Sequence, residues 1–223
     1  YEIAIAPTLR QVDELQARDR DWSTANSAIF GNPRLGESSK PFLPGAEREA
    51  TQVCRLLGCG HLFLGDAVTV NAFERYVPTA HLVHYAGHAE FNPVHPAASA
   101  LFLTDHAKER THYSQQEISS LMVRHAWLVV LSACRSATKV GVHYEGSRSL
   151  AETFSEGGVR FVVGSLTDVN DTTADLIFTS FYDEVQKGVS PVQALRRAQL
   201  TMIAKGEPPD AWAEYVILET VNV

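Results

Sequence analysis

The sequence predicts an α/β protein: a doubly wound, mostly parallel sheet flanked by helices, with an antiparallel strand at its C-terminal edge. Two observations lead there. Strand-type and helix-type segments alternate along the chain with short connections, the pattern of βαβ units. Residues 127–131 and 161–163 are apolar without alternation, as central parallel strands covered on both faces must be. At 223 residues the chain is long enough for one well-filled core, and it reads as a single domain over 1–223.

The elements follow in order. Residues 1–26 are expected to add a strand and a helix ahead of the main alternation. SAIFGNP (27–33) is a strand ending in a turn, and 31–46, rich in Gly, Pro and Ser, is a surface loop. GAEREATQVCRLLG (45–58) carries Ala, Val and Leu at helical spacing and stops at Gly58. HLFLG (61–65) is a strand, and TVNAFERY (69–76) a short helix capped by Thr69. HLVHYAGH (81–88) is the next strand, and SALFLTD (99–105) starts a small hairpin arm. SQQEISSLM (114–122) opens with the Ser-x-x-Glu capping box and leads to the strand WLVVLSAC (127–134). SLAETFSEGG (149–158) is a helix ended by paired glycines, and RFVVGSL (160–166) the following strand. Helices at 172–188 and 190–206 come next, the second with Pro191 in its first turn and Gly206 past its end. AWAEYVILE (211–219) closes the sheet as an edge strand.

Composition narrows the function classes. Net charge is −7, with the basic residues scattered, which argues against nucleic-acid binding, where clustered Lys and Arg must neutralise phosphates. No apolar run approaches the ~20 residues needed to span a bilayer, and no signal-peptide pattern is visible. Three cysteines, Cys54, Cys59 and Cys134, are too few and odd in number for a disulfide framework, so a reducing, cytoplasmic setting is expected, with Cys54 and Cys59 as ordinary core or loop residues. The chain opens on Tyr1 rather than Met, so it is expected to be a piece of a longer protein.

In open α/β sheets, sites lie beyond the carboxyl ends of the strands. Two such ends carry reactive groups: Ala86-Gly87-His88 and Ser132-Ala133-Cys134. If the strands are neighbours, a thiol and an imidazole meet, which is what a cysteine nucleophile requires. An imidazolium beside the sulfur would lower its pKa from about 8.5 by one to several units. A cysteine ending an apolar strand is commonly packing material, but the polar, small residues Arg135-Ser136-Ala137-Thr138 place Cys134 where the chain leaves the core. Gly87 permits a tight strand exit before His88, and His84, an even number of residues back, reads as a packed or supporting residue. His84, His88 and His95 also invite a zinc reading, yet their run is β-type and lacks the Glu that metallopeptidases place beside the first His. No metal or cofactor is expected.

Ala133-Cys134-Arg135, with His88 46 residues upstream, resembles the caspase pattern, although Ser132 and Ser136 stand where caspases carry Gln and Gly. The order of motifs is more similar to the CHAT domain family, caspase-related and often fused to tetratricopeptide repeats. The similar segments are YEIAIAPTLRQV (1–12), HLVHYAGHAEF (81–91), HPAASALFLTD (95–105), WLVVLSACRSA (127–137), GGVRFVVGSLTDVND (157–171), 180–202 and 211–219. The resemblance implies a caspase-like fold and cysteine endopeptidase activity on a protein substrate, regulated by flanking repeats or partners. It implies that Cys134 attacks the scissile carbonyl and His88 protonates the leaving amine. The backbone N–H groups of Ala89 and Cys134 would form the oxyanion hole, such donors contributing roughly 3–4 kcal/mol each. Ala89 replaces the family's usual Gly, and Leu166-Thr167 its frequent Trp-Pro. Metacaspases, which cut after Arg or Lys, carry Asp where Ser132 stands; Ser132, Asp168 and Asp171 are the candidates for lining such a pocket, Asp171 being better placed to cap the helix from Thr172. Two other readings stay open: a catalytically inactive caspase-like scaffold that binds a protein partner, and a nucleotide-binding domain. The second lacks a Gly-rich phosphate loop, since GNPRLG (31–36) matches neither standard pattern.

Overall fold

A computed structural model describes residues 23–35, 40–105, 110–123, 125–139 and 148–220. The expected strand and helix before residue 23, and the family-like opening at 1–12, lie outside the described residues. Six strands, β1 (Ser27–Gly31), β2 (His61–Leu64), β3 (Leu82–Ala86), β7 (Leu128–Ser132), β8 (Phe161–Ser165) and β9 (Tyr215–Glu219), form the main sheet. Their order is β2-β1-β3-β7-β8-β9. Neighbours pair in parallel except β9, which runs antiparallel to β8. Three further strands, β4 (Ala89–Glu90), β5 (Ala100–Asp105) and β6 (Arg110–Ser114), make a separate antiparallel arm in the order β4-β5-β6.

Helices cover both faces. One apolar layer joins α2 (Val70–Tyr76), α3 (Gln115–Ser120) and α4 (Leu150–Glu156) to the sheet through Phe73, Ile118, Phe154 and Val129. The other joins α1 (Pro44–Leu57), α5 (Ala174–Gln186) and α6 (Pro191–Ala204) through Val53, Phe178, Phe181, Ala198 and Val130. β1, β3, β7 and β8 are buried along their whole length. That is why their sequences show continuous apolar runs rather than alternation. Thr69 caps α2, and Ser114 forms the expected capping box with Glu117.

Close approach at Gly31 sets the distance of α1 from the sheet. A Cβ there would come within 2.4 Å of the Ala50 methyl group. Glycine is therefore required at this strand end for reasons of space. Next to it Asn32 has φ 53°, a left-handed conformation that Asn tolerates better than most residues. Its side-chain oxygen accepts the Leu43 N–H at 3.0 Å, and its amide reaches Glu47 at 3.2 Å. Asn32 thus anchors the segment 40–43 that arrives beside the strand ends.

Two expectations need correction here. Cys54 and Cys59 are joined in a disulfide rather than free. Gly58, at φ 61°, ends α1 in a left-handed turn, and the N–H groups of Gly58 and Cys59 both return to the Cys54 carbonyl, bringing the two residues face to face. Asp171 does not cap the helix that follows it. That helix begins at Ala174, and Asp171 instead accepts the N–H groups of Gly45 (2.8 Å) and Ala46 (2.7 Å) at the start of α1. Asp171→Ala is expected to lower stability by about 1 kcal/mol through loss of this cap, measurable by denaturant unfolding.

Candidate active site

β3 and β7 are adjacent and in register, Ala86 opposite Ser132. Two residues beyond each lie His88 and Cys134. The Gly87 N–H donates to the Ser132 carbonyl at 3.1 Å, so the two exits are stitched together past the end of the ladder. Thiol and imidazole thus leave neighbouring strands. Crowding at Gly87 explains its identity: a Cβ would lie 2.8 Å from the Tyr85 hydroxyl and 2.9 Å from Pro33. That hydroxyl sits 2.8 Å from the His88 carbonyl and 2.7 Å from that of Phe102, donating to one at a time, and so braces the strand exit.

His88 is fixed from the segment 40–43. Its Nε2 lies 2.8 Å from the Pro41 carbonyl. A carbonyl only accepts, so Nε2 carries the proton and Nδ1 is the basic nitrogen of the neutral ring. Burial pushes the imidazole below its ordinary pKa, the Pro41 bond opposes this, nearby Lys40 adds to it, and Asp171 acts the other way.

Cys134 is partly buried and free of any disulfide. Its Sγ accepts the Val169 N–H at 3.3 Å. Burial pushes the thiol up; the Val169 bond lowers it, and the charges of Asp168 and Glu214 push it up again. Among the described residues no hydrogen bond joins Cys134 to His88. Burial favours the neutral form of both groups, a direction opposite to that of an imidazolium depressing the thiol.

Of the two expected backbone donors, that of Ala89 can be located from the ladder. Phe102 N–H donates to the His88 carbonyl at 3.1 Å, which makes Ala89 and Leu101 a non-hydrogen-bonded pair. The Ala89 N–H therefore points away from β5, on the open side of an edge strand. The turn carrying Cys134 is tied to the end of β8. Arg135 N–H donates to Thr167 O at 2.8 Å, and Ala137 N–H to Ser165 O at 2.8 Å.

The three pocket candidates go elsewhere. Ser132 is buried and donates to Glu49 Oε2 at 3.0 Å, so its hydroxyl serves the interior and not a pocket wall. Both oxygens of Asp171 are taken by the start of α1. Asp168 pairs with Arg135 through two contacts, Nε–Oδ1 at 2.9 Å and NH2–Oδ2 at 3.3 Å, so a basic substrate residue would have to displace an internal guanidinium. Several supporting residues escape a reading of the sequence: Glu49, Pro41, Asn32 and Val169. Glu49 from α1 lies beneath Ser132 and 3.0 Å from His84 Nε2, without hydrogen-bond alignment, while His84 Nδ1 lies 3.1 Å from the Tyr182 hydroxyl. All of these groups are buried. The only advance signal for this cluster is a carboxylate on the apolar face of α1. Pro41 and Val169 act through backbone atoms, which carry no side-chain signature.

Among the described residues no group of His, Cys, Asp and Glu could hold a metal ion, and no helix is long and apolar enough to cross a membrane.

Comparison with known proteins bears on the family and the fold. The family model described as the CHAT domain matches residues 1–219. Human tetratricopeptide repeat protein 28 is 24% identical over 236 residues, covering 88% of this chain and 9% of its own length. The chain thus spans a small part of that relative. Among solved structures, RgpB from Porphyromonas gingivalis superposes with a TM-score of 0.59 at 12% identity, over 92% of this chain and 51% of that one. Separase from Saccharomyces cerevisiae, solved with securin, gives 0.57 at 16% identity, over 87% and 11%. Caspase-1 from Spodoptera frugiperda gives 0.50 at 11% identity, over 100% and 93%. The fold is caspase-like.

Proposed function

The chain belongs to the CHAT domain family, and from that premise we propose that it is a cysteine endopeptidase in which Cys134 is the nucleophile and His88 the proton-transfer partner. The observation that carries the reading is the placement of these two residues at in-register ends of adjacent parallel strands, with Ala89 N–H free of the β5 ladder. His88 Nδ1 takes the thiol proton as Sγ attacks the scissile carbonyl. The Ala89 and Cys134 N–H groups receive the developing oxyanion. The imidazolium then protonates the leaving amine, and water releases the acyl group from the sulfur in a second step. The carbonyl of Pro41 keeps the ring oriented and compensates its positive charge while the proton is held. The substrate is a protein or peptide. The human relative is by name a tetratricopeptide repeat protein, and repeats or partners outside this segment are the proposed source of regulation.

Burial that favours the neutral forms predicts a particular pH profile. Cleavage should fall on the acid side as His88 is protonated, with its midpoint below the ordinary imidazole value of about 6.5, because burial lowers that pKa. A pH–rate profile of kcat/KM checks it; a midpoint above that value contradicts the environment described for His88.

The testing experiment is labelling with a library of peptides bearing a thiol-reactive group, read at Cys134 by mass spectrometry. Labelling that depends on peptide sequence and is lost in His88→Ala supports the peptidase. Labelling indifferent to both favours the scaffold reading, in which the domain binds a partner without turnover.

A further inference from the structure

The residue directly after the nucleophile and the residue directly before the sulfur's hydrogen-bond donor are joined to each other. Arg135 follows Cys134, Asp168 precedes Val169, and the two side chains meet in a two-point ion pair. Arg135 holds φ 54°, a conformation disfavoured for a residue with a Cβ by about 1–2 kcal/mol. Its N–H is bound to Thr167 O at 2.8 Å and lies 3.1 Å from Ser165 Oγ, so both its backbone and its side chain are committed to segment 165–168. The product of this arrangement is the Val169 N–H lying 3.3 Å from Sγ.

We propose that the Arg135–Asp168 pair is a positioning device for the nucleophile, clamping segment 165–169 against the Cys134 turn so that the Val169 N–H stays on the sulfur and stabilises it as the proton leaves. The proposal deepens the peptidase reading and rests on Cys134 being its nucleophile. An imidazole in its neutral form supplies no standing charge to the sulfur, and a fixed amide dipole takes on that task. Neither Arg135 nor Asp168 touches the reacting atoms in this scheme; both act through the Val169 amide. Since both side chains are more than half exposed, the pair holds the segment by geometry more than by energy.

Other titratable groups surround the Cys134 turn and enter the test. Glu214 and Tyr215, at the start of β9, act on the sulfur; His88 leaves the adjacent β3 exit, and Glu49 of α1 binds Ser132. All are left unchanged in the variants below.

Simple electrostatics and clamping predict opposite results for one substitution. Asp168 is an anion that pushes the thiol up, so removing its charge alone would lower the Cys134 pKa. If it clamps, Asp168→Asn releases the Val169 N–H and the pKa rises. The experiment titrates alkylation of Cys134 by iodoacetamide against pH, followed on the Cys134 peptide by mass spectrometry, in the wild type, Arg135→Asn, Asp168→Asn and the charge swap Arg135→Asp with Asp168→Arg. Asn and Asp tolerate the left-handed backbone at position 135, so the turn is not strained by the change. Both single variants are expected to shift the midpoint upward by about half a unit to one unit, and the swap to return it toward wild type. Failure of either single variant to move upward, or a swap no closer to wild type than the singles, overturns the proposal. Because the readout is the sulfur's titration, the clamp is tested even in a chain that cleaves no peptide.

Discussion

Cys134→Ala is expected to abolish peptide cleavage, lowering kcat/KM by more than about 10⁴-fold, the scale at which loss of a nucleophile is felt in comparable enzymes. No other cysteine can replace it: the remaining two are joined to each other at the far end of α1. The fold should be untouched. Cys134 lies in a turn beyond β7, its sulfur accepts the Val169 N–H, and the turn is held by backbone contacts of Arg135 and Ala137 to the end of β8. The measurement is turnover of a peptide selected by the probe library, alongside thermal unfolding. Retained turnover in a folded variant removes the nucleophile assignment.

Glu49→Ala should produce the largest loss of stability, about 3–5 kcal/mol. That combines the cavity left in the core with the buried polar partners left unpaired. Glu49 faces His84 and Ser132 in a region closed to solvent, with Tyr182 completing the cluster on the other side of the imidazole. Burial holds its carboxyl above the usual carboxylate range, with His84 and Ser132 partly offsetting it. A folded carboxyl with a raised pKa retains a proton that the unfolded chain releases, so its contribution is full below the ordinary value and is lost as pH rises through the folded one. Glu49→Gln removes that titration while keeping size and a hydrogen-bonding group. Denaturant unfolding across about pH 4–8 should therefore show a flatter decline in Glu49→Gln than in the wild type, with much less destabilisation than in Glu49→Ala. Equal slopes would mean that Glu49 stays ionised in the folded protein.

The buried cluster also explains why Ser132 is small. It is the last residue of β7, two residues before the proposed nucleophile, and its side chain points to the α1 face of the sheet. Glu49 already fills the space below it. A second carboxylate at 132 would meet the Glu49 carboxyl directly in a region closed to solvent.

Much of this arrangement can be read from residues alone. The order of strands and helices is local information: apolar runs, the capping box at Ser114, and Gly58 at the end of α1 each act within a few residues. The proposed pairing of His88 with Cys134 follows from one topological rule, that sites lie beyond carboxyl ends of parallel strands, applied to the two strands that end in reactive groups. What resists such reading acts across distance or through the backbone. Asp171 has the composition of a local cap, and taken with its neighbours alone it belongs to the helix from Thr172. The N–H groups it binds belong to α1, some 125 residues away, because packing brings the start of α1 closer than its own helix. Asp168 reads as an acid awaiting a basic substrate until Arg135 is seen across from it.

The layered α/β architecture, the antiparallel edge and the identity of the thiol and imidazole are written in the residues themselves. These features depend on hydrophobic periodicity and on which side chains can do chemistry, both properties of single segments. The charge state of that pair, and the partners that govern it, are settled by the folded molecule. Protonation responds to burial and to dipoles converging from separate elements, here Pro41, Val169, Asp168 and Glu214, whose proximity exists only once the sheet has closed around them.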